Sequence, residues 1–144
     1  MAGDAPESVV VTRTVRLVAP FVFAFGLFTM FHGAASVGGG FQGGVVVASV
    51  IVTIAFAFGV DQTRRWLDPS LVAASAVTGV AVFAATGAAT VLLGGAFLEF
   101  TVVPGSKGPL YAIELIEVGI GVTVAATIVV LFFEIAGGLG GDAA

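Results

Sequence analysis

Residues 17–60 read LVAPFVFAFGLFTMFHGAASVGGGFQGGVVVASVIVTIAFAFGV, and over these 44 positions the only ionisable side chain is His32. A helix rises about 1.5 Å per residue and a bilayer's hydrocarbon core is about 30 Å thick, so one crossing takes about 20 apolar residues. The stretch is too long for one crossing and long enough for two. Gly33 and the run Gly38-Gly39-Gly40 cut it in the middle, where glycines break regular structure. Two more uncharged stretches follow, at 69–98 and 118–133. The spacing predicts an all-α integral membrane protein with four transmembrane helices, near 13–32, 42–60, 70–96 and 109–135. Residues 1–12 are expected to form a cytoplasmic tail, 13–136 the membrane domain, and 137–144 a short C-terminal tail.

Composition agrees. Hydrophobic residues make up 58% of the 144, charged residues 10%, and mean hydropathy is +1.16. A water-soluble domain carries about 25% charged residues, and this chain could not cover an aqueous surface with so few. The segments are continuously apolar, whereas a membrane β-strand alternates apolar and polar residues. A helix also bonds its backbone internally, as lipid requires. Pro20 removes one donor from the first helix and is expected to bend it. A cleavable signal peptide is the rival reading of that helix, with Arg13 and Arg16 leading and Gly33-Ala34-Ala35 as cleavage site. Its apolar region would exceed the usual 7–15 residues, and Asp4 and Glu7 sit where positive charge is expected.

Several functions are excluded. The chain has no cysteine, so thiolate chemistry, disulfides and cysteine-ligated metals are absent. One histidine allows neither a multi-histidine metal site nor a Ser–His–Asp arrangement. Net charge is −4 without a basic run, which leaves no nucleic-acid interface. The glycines at 38–44 are followed by no GK[ST], so they make no phosphate loop. They are expected to give a tight turn, tolerating positive φ or close approach. No catalytic residue, metal site or cofactor is expected.

Arg13, Arg16, Arg64 and Arg65 fall on one side and Lys107 on the other. Four against one places both termini and the 61–69 loop in the cytoplasm. Asp61, Arg64, Arg65 and Asp68 are expected to pair there, with Trp66 at headgroup level, and Glu134 to form an interfacial ion pair. Small residues let helices approach in lipid. Three rows qualify: Ser49, Thr53 and Ala57; Thr86, Thr90 and Gly94; Gly119, Thr123 and Thr127.

Charge within the bilayer is costly, about 2.5–3.5 kcal/mol for an aspartate at mid-membrane on insertion scales. Glu114 and Glu117 stand three residues apart on one helix face. Two neighbouring carboxylates suit proton or Na⁺ exchange, and Glu117, Glu114 and His32 are the ion-pathway candidates. The blander alternatives are an aqueous vestibule or a neighbour's base for the two glutamates, and a helix C-terminal cap for His32.

The stretch His32-Gly33-Ala34-Ala35-Ser36-Val37-Gly38-Gly39-Gly40-Phe41-Gln42-Gly43-Gly44 resembles the pattern His-Gly-x-x-x-Pro-Gly-Gly-Gly-Phe-x-Gly-Gly. That pattern is similar to the one carried by the MnhB-like family, small membrane components of the multisubunit Na⁺/H⁺ antiporter of the Mrp or Mnh type. Arg16-Leu17-Val18-Ala19-Pro20, Gly95-Ala96-Phe97-Leu98 and Ile116-Glu117-Val118-Gly119 are similar to further family segments. Val37 stands where the family has proline, and Glu117 where it has aspartate. The resemblance implies a small, non-enzymatic cell-membrane protein that supports assembly with other membrane subunits of the antiporter. Its complex would exchange Na⁺ for H⁺, and Glu117 could line the path. The same type of component resembles membrane-arm modules of respiratory hydrogenases, which is the alternative. A stand-alone small transporter is a third reading.

Overall fold

The structure is a computed structural model that describes residues 8–33 and 38–141. Five α-helices follow one another: α1 (Val9–Phe31), α2 (Gly40–Phe58), α3 (Val60–Trp66), α4 (Pro69–Leu92) and α5 (Gly108–Gly141). A short 3₁₀ turn, Phe100–Val102, lies between α4 and α5. Helices α1, α2, α4 and α5 are long and apolar enough to cross a membrane, which bears out the four expected spans. Helix α1 runs through Pro20 without interruption and carries Arg13 and Arg16 in its first turns.

The break after α2 comes two residues earlier than the sequence suggests. Gly59 adopts φ 93°, a left-handed conformation that favours glycine. It ends α2 and starts the short helix α3, which carries Asp61, Arg64 and Arg65. Asp68 then caps α4, accepting from the Ser70 N–H at 2.9 Å and the Ser70 hydroxyl at 2.7 Å. Those bonds hold the Asp68 carboxyl below its ordinary pKa. The expected pairing inside this loop gives way to that cap. Among the described residues the ion pair is Arg64 with Glu134, at 3.8 Å, so the interfacial role expected of Glu134 is the one found. The pair is largely exposed and adds little stability by itself.

The long helices make their main contacts in the order α1–α2–α5–α4, and the end of α1 also reaches α5, where Met30 packs with Val47 and Ala125. Their contacts follow residues without a large side chain. On α1 and α2, Gly26 lies against Val46 and Val47, and a Cβ on Gly43 would stand 2.7 Å from the Gly26 carbonyl. On α2 and α5, a Cβ on Gly44 would stand 2.5 Å from the Gly121 carbonyl. On α4 and α5, Gly79 presses on Gly119 and Thr123, and the Thr123 hydroxyl lies 3.1 Å from the Ala76 carbonyl. Further along α5, Ala48, Val129 and Phe133 make a fully covered cluster with Leu67 and Val72 around it.

Within this chain each of the three expected rows is only partly used. Ser49 and Thr53 are exposed, and their hydroxyls bond the Val46 and Ser49 carbonyls of their own helix. The packed row on α2 is Gly40, Gly44 and Ala48, all buried. Of the row on α5, Gly119 and Thr123 pack as expected while Thr127 is exposed. Gly94 lies beyond the end of α4, and Thr90 is buried for a different purpose.

That purpose is the α4–α5 connection. The Thr90 oxygen accepts from the Leu98 N–H at 2.9 Å, and its hydroxyl lies 2.7 and 2.9 Å from the Gly87 and Ala96 carbonyls. Leu98 is held there at φ 65°, unusual for a residue with a side chain. Glu99 closes the turn, accepting from the Ala96 N–H at 2.7 Å and the Thr101 hydroxyl at 3.1 Å.

Two outcomes follow from this packing. Gly44→Val drives methyl groups into the α5 backbone at Gly121 and should destabilise the chain by about 1–3 kcal/mol, an overpacking cost. A fall in thermal unfolding temperature in detergent measures it, and an unchanged value refutes the contact. The Ala96 and Thr101 bonds hold the Glu99 carboxyl below its ordinary value. The stabilisation is therefore complete above the ordinary glutamate pKa of about 4.3 and is lost as pH falls through the lowered one. Protection of the Ala96 amide against hydrogen exchange, corrected for intrinsic rates, should drop in that acidic window and lose its pH dependence in Glu99→Gln.

Candidate functional site: a carboxylate in a glycine cradle

Helix α5 starts at Gly108, so Glu117 lies about 14 Å along it, within a helix long and apolar enough to cross a membrane. Its surroundings are made by the glycine-rich segment of the first hairpin. A Cβ added to Gly33 would fall on the Glu117 carboxylate. One added to Gly40 would fall on the Glu117 main-chain carbonyl, and one on Gly39 would stand 3.5 Å from Oε1. The carboxylate is thus walled by backbone from the end of α1 and the start of α2. Oε2 is buried and has no hydrogen-bond partner among the described residues.

The glycines at these positions serve close approach. Gly39, at φ 164°, is extended backbone that any residue adopts, so its conformation does not demand glycine. Gly33 and Gly40 have no room for a side chain because Glu117 occupies it. Gly43 and Gly44 continue the motif as helix contacts, to Gly26 and Met30 and to Gly121 respectively. Gly38 lies beside Thr29, while Phe41 points away and is exposed. Val37 lies outside the described residues.

His32 ends α1. Its Nδ1 lies 3.2 Å from the Phe28 carbonyl, and its ring stacks on Phe28 at 4.1 Å between centroids. The geometry matches a helix C-terminal cap. Glu114 is half-buried, one turn before Glu117 on the same face. Glu99 is engaged in its own turn, and Lys107 is exposed. Glu117 thus meets the glycine motif, whereas Glu99 is engaged by its own loop.

Among the described residues no three His, Cys, Asp or Glu side chains converge to hold a metal ion. The arrangement offers single-group chemistry. A carboxylate whose Oε2 meets no donor among the described residues, with glycine backbone against it, has the chemistry to bind a proton or a small cation. Sequence reasoning singled out the glycine motif and Glu117 separately. What it missed is their contact, for which a single sequence carries no signal.

A family model described as a domain related to the MnhB subunit of Na⁺/H⁺ antiporter matches residues 10–130. The chain belongs to this family. It is 32% identical over 138 residues to a protein of Staphylococcus haemolyticus (strain JCSC1435) provisionally named antiporter subunit mnhB2, covering 92% of this chain and 97% of that one. A Staphylococcus aureus (strain Newman) protein of the same name is 31% identical over the same shares. Family membership and four apolar helices make this a multi-pass membrane protein.

Space at the cradle separates its glycines by substitution. Gly33→Ala and Gly40→Ala should each lower the amount of folded chain in membranes several-fold, since backbone or carboxylate must move. Gly39→Ala, at ordinary van der Waals distance, should leave the amount unchanged. Immunoblots of membranes expressing each variant decide it, and equal levels for all three would contradict the cradle.

Proposed function

We propose that this chain is the MnhB-type membrane component of a multisubunit Na⁺/H⁺ antiporter and that Glu117 is the group through which it takes part in ion movement. The family supports the first part. The Glu117 oxygen that meets no donor among the described residues, inside a cradle of glycines, supports the second. A carboxylate kept in an apolar layer without a hydrogen-bond donor is costly, so it needs a transient partner. A transported Na⁺ or H⁺ is such a partner. Glu114, one turn nearer the helix start, would pass the ion between Glu117 and the surface, and His32 would order the end of α1 beside it.

In this reading the chain performs no covalent chemistry and needs no cofactor. It sits in the cell membrane, its termini in the cytoplasm as the four arginines favour. Residues 1–12 and 137–144 are its aqueous tails. Other membrane subunits cover its apolar faces, and lipid covers the remainder. The relatives carry antiporter names, so coupling to a respiratory hydrogenase is not favoured.

Replacing Glu117 by Gln removes the charge and keeps the shape. Na⁺-dependent proton movement in everted membrane vesicles should fall by about tenfold or more. The amount of co-purified complex should stay the same, and Glu117→Asp should retain part of the activity. Normal exchange in the Gln variant would remove Glu117 from the mechanism while leaving the family assignment intact.

A further inference from the structure

Helices α1 and α2 touch closely at Gly26 and Gly43, yet toward the Arg16 end they leave a cleft of about 550 Å³. Its volume is within the range of about 300–1,000 Å³ that holds small-molecule ligands. Ala19 and Pro20 of α1 and Ile54 of α2 line its length, with Arg16, Phe58 and Trp66 around one end. The small side chain of Ala19 and the ring of Pro20 leave the space that a larger residue would fill.

The cleft has the polarity of an amphiphile. Its body is apolar. At its end the Arg16 guanidinium lies 5.5 Å above the Phe58 ring, and the Phe58 and Trp66 rings are 5.8 Å apart. Arg16 has no carboxylate within ion-pair distance among the described residues. Helices α1 and α2 contain no acidic residue at all, and the one acid-bound arginine among the described residues is Arg64, on Glu134. A guanidinium prefers a phosphate oxygen, which it binds through paired N–H donors. Tryptophan prefers the headgroup level, where its ring is apolar and its N–H is wet.

We infer that this cleft is a binding site for an anionic phospholipid, with one acyl chain along Ala19, Pro20 and Ile54 and the headgroup phosphate on Arg16. The charge at the cleft's end selects this occupant over an apolar helix of a neighbouring protein, which would leave Arg16 without a counter-charge. Occupancy fills the space between the two helices beside the Arg16–Phe58 contact.

The chain's single tryptophan reports on the site directly. The full chain is reconstituted in bilayers containing brominated phosphatidylglycerol or brominated phosphatidylcholine, and quenching of Trp66 gives the relative binding of the two. Phosphatidylglycerol should be favoured about fivefold, the effect of one basic residue at an anionic surface. Arg16→Gln should bring the ratio to about one, and Arg16→Lys should keep most of it. Arg13→Gln, whose side chain does not line the cleft, should keep the preference. A wild-type ratio near one, or equal losses in the Arg13 and Arg16 variants, would overturn the site in favour of diffuse surface charge. A photoreactive residue at position 54 in native membranes should cross-link to lipid. A protein adduct there would overturn the proposal by making the cleft a protein–protein interface.

Discussion

Helices in a bilayer gain nothing by hiding apolar surface from one another, because lipid tails are as apolar as leucine. What remains is close contact, and close contact needs backbones without side chains between them. Helix α5 illustrates this along its length. Glu117 and Gly121 meet Gly40 and Gly44 of α2, while Gly119 and Thr123 meet Gly79 of α4. The two sets lie on nearly opposite faces of one helix, which is why α5 stands between α2 and α4. The absence of a Cβ at a few positions fixes the order of the long helices.

The same device produces the environment of Glu117. A glycine at 33 and at 40 leaves a space, and the carboxylate and carbonyl of residue 117 fill it. Packing and chemistry are therefore one feature at this place. The contact that brings α2 to α5 also shields Glu117 Oε2, which meets no donor among the described residues. Contacts at the arginine-bearing end are of another kind. There Arg64 reaches Glu134 and lies over Phe133, and Arg16 lies over Phe58, using aromatic faces where carboxylates are scarce.

The spans were legible because charge is so sparse that its gaps measure helices. The glycine break between α1 and α2 was legible because a run of glycines interrupts an otherwise apolar stretch. The position of α3 was not, because Gly59 reads like any glycine near a helix end until its positive φ is seen. Rows of small residues were only partly informative. Ser49 and Thr53 have the right spacing, but their hydroxyls satisfy carbonyls of their own helix and need no neighbour. Gly40, Gly44 and Ala48 have the same spacing and form the contact. Spacing identifies a face, and only the partner decides whether it is used. At the candidate site each residue could be named from sequence. The meeting of Gly33 and Gly40 with Glu117 joins segments far apart along the chain and is a product of the fold.

The order α1–α2–α5–α4 has a mechanical consequence. Gly33 after α1 and Gly40 at the start of α2 both reach Glu117, so two segments of the first hairpin clasp α5 at one level. With α4 packed on the other side through Gly79, a shift of α5 along its axis would be felt by the first hairpin and by α4 together.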